Sequence, residues 1–170
     1  MKYSFEELPL QPPNSIGDPT DFLVYAIVEQ EEGSTERTVW DEAKREFVKT
    51  GLVMKKPLPA PYGWIPQTFC EGDGDALDVL ILTETKIPQG HYLATRPVGV
   101  LLRRDQDHKV LAVDLQDTRF GAIQNYTEVP PELLTFIEDW FRPYFELDGW
   151  LDAIATRQII AQSHALFHLK

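Results

Sequence analysis

The chain of 170 residues has a single cysteine, Cys70. One thiol allows no intrachain disulfide and no cysteine-built zinc site, which agrees with a reducing compartment. An apolar run of the roughly 18 residues that would span a bilayer is missing. The opening MKYSFEELPLQPP lacks the basic-then-apolar order of a signal peptide. A soluble, cytoplasmic protein with no membrane partner is expected. Positive charge is also scarce: 16 Lys and Arg stand against 27 Asp and Glu, a formal net charge of −11. A field of that sign repels nucleic acid and anionic lipid, so any bound anion must be met by local neutralisation. The four histidines, His91, His108, His164 and His168, show no zinc-like spacing with acids. Internal repeats, low-complexity tracts and linkers are missing too, so one domain over residues 1–170 is expected, with 43% hydrophobic residues to fill its core.

Residues 1–20, rich in Pro and Glu, read as an extended arm. DFLVYAIVEQ and TVWDEAKREFVK then read as strand regions, the second folding back at DEAK as a hairpin. LVMKKPLPAPYGWIPQTF carries four prolines from Pro57 to Pro66, which argues against a helix or an interior strand and for a segment that wraps a surface. ALDVLILT, TRPVGVLLRR and HKVLAVDL are three further β runs, the last two joined by DQD. Short strands punctuated by turns favour a small antiparallel barrel or sandwich. Helices are expected only near the end. PPELLTFIEDWFR has prolines suited to a first turn, places Leu133, Ile137 and Phe141 on one face, and should stop or kink at Pro143. The tail predicts a core-facing stripe of Leu151, Ala155, Ile159, Leu166 and Leu169, and the four tryptophans, Trp40, Trp64, Trp140 and Trp150, are expected to anchor the core.

The chemistry gathers in EGDGDALDVLIL, residues 71 to 82, where Asp73, Asp75 and Asp78 crowd a glycine-bearing turn that enters an apolar strand. Like charges at such range raise one another's pKa, and a divalent cation is the common remedy. Oxygen ligation by Asp suits Mg²⁺, Mn²⁺ or Ca²⁺ rather than zinc. An EF-hand is disfavoured, because counting from Asp73 puts Leu77 and Asp78 where that loop needs an oxygen ligand and a glycine. A second acidic pair, Asp105 and Asp107, lies between two expected strands with Lys109 two residues on. Alternation puts Asp107 and Lys109 on one side of a strand, about 6 to 7 Å apart. If the strand ends meet, five carboxylates and one ammonium face a common pocket able to hold metal ions and a phosphate oxygen.

These residues resemble the soluble family I inorganic pyrophosphatases, whose signature D-G-D-P-x-D stands here as Asp73-Gly74-Asp75-Ala76-Leu77-Asp78. PYGWIPQT is similar to the family's N-Y-G-Y-I-P-x-T and RPVGVL to its R-P-I/V-G-V/A-L. Asp105, Asp107 and Lys109 match D…D-x-K in a shorter loop, Phe141-Arg142 matches Tyr-Lys, and DGW matches E-G-W. The resemblance implies a mainly β fold, a five-stranded OB-like barrel flanked by two C-terminal helices. It also implies Mg²⁺-dependent hydrolysis of inorganic pyrophosphate, with Mn²⁺ as a substitute, and homo-oligomers. By the same resemblance Asp73, Asp78, Asp105 and Asp107 ligate metal, Asp75 acts as the base towards the attacking water, and Tyr62, Lys109 and Arg142 hold phosphate oxygens.

The amino-terminal third departs from the pattern. Without gaps, the family's first-strand glutamate falls on Ile27, its K-x-E pair on Glu36-Arg37-Thr38, an arginine on Thr50 and a tyrosine on Leu58. Each lost charge-assisted hydrogen bond is worth about 1.5 to 3 kcal/mol, roughly 10- to 150-fold in transition-state binding. Arg37, Lys55, Lys56, Arg103 and Arg104 are the cations able to compensate. The alternative to a pyrophosphatase is therefore a weak or inactive relative that binds metal and a phosphorylated ligand, or one that hydrolyses a different phosphoanhydride.

Overall fold

In the computed structural model, residues 4–15 and 21–170 are described, so part of the expected arm, at 1–3 and 16–20, lies outside the described residues. The apolar runs form strands β1 (Val24–Gln30), β5 (Asp78–Leu82), β6 (Tyr92–Arg103) and β7 (Lys109–Asp114). The DEAK turn joins β2 (Glu36–Asp41) to β3 (Glu46–Val53) as a two-stranded hairpin, with Arg45 in the left-handed region at φ +56°. The remaining strands and α-helices are β4 (Tyr62–Trp64), α1 (Pro131–Phe141), β8 (Leu147–Leu151) and α2 (Ala153–His168), and short 3-10 turns form at Phe5–Glu7 and Pro13–Ser15 in the expected arm and at Tyr126–Glu128. Strands β1, β4, β5, β7 and β6 pair in that order, and β6 returns to β1 to close a five-stranded barrel. Closure removes the open edges that would invite aggregation. β8 adds outside the ring, against β6.

Period-two alternation turns the apolar interiors of β5 and β7 to both sides of the sheet. Val79, Ile81, Val110 and Ala112 join Val24, Ala26, Val28 and Val100 in one core cluster, reached by Ile160 of α2. Leu80, Leu82, Leu111 and Val113 face the other way and pack under Ile137 and Phe141 of α1. With both faces covered, a strand has no polar face to offer except at its ends. That is where the charged residues sit.

Three expectations need correction. The proline-rich stretch does contain an interior strand: β4 pairs with β1 on one side and β5 on the other. Pro61 and Pro66 bracket the three residues instead of interrupting them, and a β-carbon on Gly63 would lie 1.6 Å from the Ile27 carbonyl oxygen. In α2 the buried face is Ala153, Thr156, Ile160 and Ser163, whereas Leu151 belongs to β8 and Leu169 is 82% exposed. Small residues win this face because they allow close approach and satisfy their hydroxyls: Thr156 Oγ1 donates to Asp152 O at 2.7 Å and Ser163 Oγ to Phe69 O at 2.7 Å. The tryptophans are half-buried: Trp140 and Trp150 pack against the core as expected, but the other two do not. Trp40 and Trp64 pack edge-on around Phe5 instead of entering the core.

Candidate active site

β5 opens on Asp78 and β7 on Lys109, and these two residues are partners in the parallel ladder. That register sets the Lys109 ammonium between the two acidic loops. Its Nζ donates to Asp78 Oδ2 at 2.5 Å and to Asp107 Oδ1 at 2.8 Å. The lysine side chain is only 2% exposed, so its charge is tolerated because carboxylates meet it. The loops also touch through Gly72, where a β-carbon would lie 2.7 Å from the Gln106 carbonyl and force them apart. The GDGD turn closes through Cys70 N–H donating to Asp75 O at 2.7 Å, with Gly74 at φ +74°. Within the turn Asp73 Oδ1 accepts from Asp75 N–H at 3.0 Å, and Asp75 Oδ1 accepts from Ala76 N–H at 2.8 Å.

A cavity of about 800 Å³ opens over this cluster. Asp73, Asp75, Asp78, Asp107, Lys109 and Tyr62 line it, together with Glu29, Arg37 and Arg103. Two residues singled out from the sequence do not. Asp105 borders a separate groove beside Cys70 and accepts from Arg103 Nε at 3.1 Å and Nη2 at 2.5 Å. Arg142 is taken by its own helix, pairing with Asp139 at 2.5 Å and Glu138 at 3.5 Å. Among the compensating cations, Arg104 is engaged by Glu146 and, at 2.9 Å, by Asp148, and Lys55 and Lys56 do not line the cavity; nor do Thr50 and Leu58, where the ungapped reading puts the family's arginine and tyrosine.

The electrostatics point one way. Burial raises the pKa of Asp78 in spite of Lys109, and burial likewise raises that of Asp73. Glu29 is pushed up to about 8, by burial first and then by Asp78 and Asp75, with Arg37 and Lys109 pulling the other way. Burial and the Asp78 charge lift the Tyr62 phenol well above its usual range, so it stays a neutral hydrogen-bond donor to Asp78. Carboxyl groups pressed together in a partly dry cavity accept cations readily. One oxygen each from Asp73 and Asp107 and the sulfur of Cys70 lie within 4.8 Å of one another, an arrangement that could hold a metal ion. Two of these three groups are carboxylates, whose oxygens favour a hard ion, and burial raises the pKa of the Cys70 thiol beside them.

Glu29 is the cavity residue that the ungapped reading missed, while Arg37, one of the cations able to compensate, does line the cavity. Ile27 is fully buried, whereas Glu29, two residues on, reaches the cavity. A two-residue slip leaves a strand residue on the same face, so alternation alone cannot distinguish the two. The β1–β4 ladder is irregular between Val28 and Gln30, and the β2–β3 ladder between Glu36 and Thr38, beside both residues. Glu36 instead pairs with Lys49 at 2.6 Å outside the cavity. The sequence signal was the first acid after an apolar run, Glu29 after AIV.

Comparison with known proteins gives the same answer throughout. The family model described as inorganic pyrophosphatase matches residues 26–168. The inorganic pyrophosphatase of Nanoarchaeum equitans is 33% identical over 132 residues, 74% of this chain and 80% of that protein. That of Pseudomonas aeruginosa is 37% identical over 134 residues, 71% and 76% of the two chains. The crystal structure of inorganic pyrophosphatase from Thermus thermophilus superposes with a TM-score of 0.86 at 26% identity, over 98% of this chain and 99% of that one. With the barrel, the acidic loops and these likenesses in agreement, the chain belongs to the soluble family I inorganic pyrophosphatases.

Proposed function

We propose that this protein hydrolyses inorganic pyrophosphate, or a closely related phosphoanhydride, to two phosphates with Mg²⁺. The observation that carries the reading is the Lys109 ammonium bridging Asp78 and Asp107 at 2.5 and 2.8 Å, because it joins two acidic loops at the floor of one cavity. Asp73, Asp78 and Asp107 are the carboxylates that fit a hard divalent ion, and Mn²⁺ would serve the same ligands. Bound there, the ion supplies Lewis acidity and acidifies water. Asp105 does not fit this set, since both of its oxygens are engaged by Arg103.

The chain's own groups do the rest. Asp75 orients the attacking water and takes its proton, standing at the cavity edge on a turn pinned by the Cys70 backbone. Lys109 and Arg37 offer positive charge to phosphoryl oxygens, and Tyr62 offers a neutral O–H. Arg37 supplies the second cation in place of Arg142, whose fork is already shared between Asp139 and Glu138. Glu29 faces the same cavity.

Phosphate release from Mg-pyrophosphate tests the proposal. Asp75→Asn is expected to lower kcat by about 10²- to 10⁴-fold, the usual contribution of a positioned base. Equal slow rates for both proteins would remove the assignment. Mg-dependent pyrophosphate binding without turnover, seen by calorimetry, would assign a binding role instead.

A further inference from the structure

We infer that Arg103 is a resident cation that takes the carboxylate of Asp105 out of metal ligation, so that the protein holds fewer divalent ions than its acidic residues imply. The inference rests on the reading of the site given above and concerns which of its acids remain available.

Arg103 ends β6 with a side chain only 6% exposed. Its guanidinium grips Asp105 in bidentate fashion, Nε to Oδ1 at 3.1 Å and Nη2 to Oδ2 at 2.5 Å, and the free Nη1 lies 3.6 Å from Asp107 Oδ2. The Phe145 ring covers the flat face of the group, 3.3 Å from Cζ to the ring centre. The backbone is fixed as well: Arg103 N–H donates to His108 Nδ1 at 3.0 Å, and Arg103 O accepts from Gln106 N–H at 3.1 Å. A guanidinium held in this way cannot swing into solvent, unlike a lysine on a flexible stem.

The planar fork matches a carboxylate oxygen for oxygen, Asp105 Oδ1 also accepts the Asp107 N–H at 3.2 Å, and Asp105 does not line the cavity. A hard ion needs oxygens at about 2.0 to 2.1 Å and would have to share them with a fixed like charge. Asp107 is less constrained, since it meets Nη1 only at 3.6 Å and gives its other oxygen to Lys109. The loop thus contributes one ligand where its two acids suggest a pair. Arg103 acts here as a positioning residue, through Asp105 and Asp107, and lines the cavity with a charge that needs no metal to supply it.

Equilibrium dialysis with Mn²⁺ alone, without substrate, tests this on the full-length protein. Asp105→Asn is expected to leave the number of Mn²⁺ ions bound per chain unchanged and Arg103→Gln to gain a further ion. Loss of an ion in Asp105→Asn would overturn the inference, as would an unchanged number in folded Arg103→Gln. If Arg103→Gln does not fold, Asp105→Asn decides alone, because its carboxylate is half exposed. Failure here stays distinct from failure of the functional reading: a wild-type protein that binds no Mn²⁺ and releases no phosphate from Mg-pyrophosphate sinks both. One that binds and hydrolyses but loses an ion with Asp105→Asn sinks only the role given to Arg103.

Discussion

The parallel strands β5 and β7 carry acidic clusters at both ends, and the two are built on opposite terms. At the C-terminal end, Asp117 accepts from the backbone N–H groups of Glu84, Arg119 and Phe120 at 2.6, 2.9 and 3.0 Å. The Thr83 hydroxyl lies 3.0 Å from Asp114 Oδ2 and 3.2 Å from Asp117 Oδ2. Burial raises the pKa of Asp117, but these donors outweigh it and hold the carboxyl below its ordinary range. At the N-terminal end the chain is sparing with its donors. Asp78 leans on the Lys109 ammonium and the Tyr62 phenol, and burial still leaves its pKa raised. A carboxylate saturated by backbone N–H groups has no lone pair to spare and serves the fold; one left short of them has oxygens to give to a cation.

The largest expected break in that contrast is Lys109→Met. It strands Asp78 and Asp107 in a partly buried site without their shared partner, which costs about 3 to 5 kcal/mol when a buried pair is broken from one side. Urea unfolding in metal-free buffer should show that loss, and added Mg²⁺ should return part of it by replacing the missing charge. A loss below about 1 kcal/mol would reduce the bridge to the level of a surface ion pair. Next in size is Arg37→Ala, expected to lower kcat/KM for pyrophosphate roughly 10- to 150-fold through loss of one charge-assisted grip. Glu36→Ala is the control, since Glu36 pairs with Lys49 outside the cavity and should leave the rate close to wild type. Equal effects of the two substitutions would return the hairpin to a passive role.

How far such a site can be read from sequence follows from the same physics. Asp78 and Lys109 were placed correctly at strand starts, because continuous apolar runs announce buried strands and their polar flanks must fall at the ends. The first helix was legible from Ile137 and Phe141, which the structure buries, and from the prolines at its start. β4 was hidden because three residues carry no periodicity of their own; they become a strand only when β1 and β5 supply ladders on both sides. Glu29 was hidden by a slip of two residues, the one error that alternation cannot expose. The pairing of Arg103 with Asp105 could not be read either. Adjacent opposite charges in a loop are usually solvated, and it is the Phe145 ring, brought in by the segment between α1 and β8, that turns this pair into a fixture.

The smallest expected effect sharpens the contrast from its other side. Asp117→Asn keeps the shape of the C-terminal cluster but removes the charge that its three N–H donors address, so a loss of about 1.5 kcal/mol at neutral pH is expected. Because the folded-state pKa of Asp117 lies below the ordinary 3.8, its stabilisation is fully present above that value and is lost as pH falls through the folded pKa. The gap in urea midpoint between wild type and Asp117→Asn should therefore hold from neutral pH down to about pH 5, begin to narrow near pH 4 and close only as pH falls through the lower folded-state pKa. A gap that persists unchanged in acid would mean that the donors serve the shape of Asp117 and not its charge. The two ends of β5 and β7 would then differ in geometry alone, and the shortage of donors around Asp78 would no longer mark it as a cation ligand.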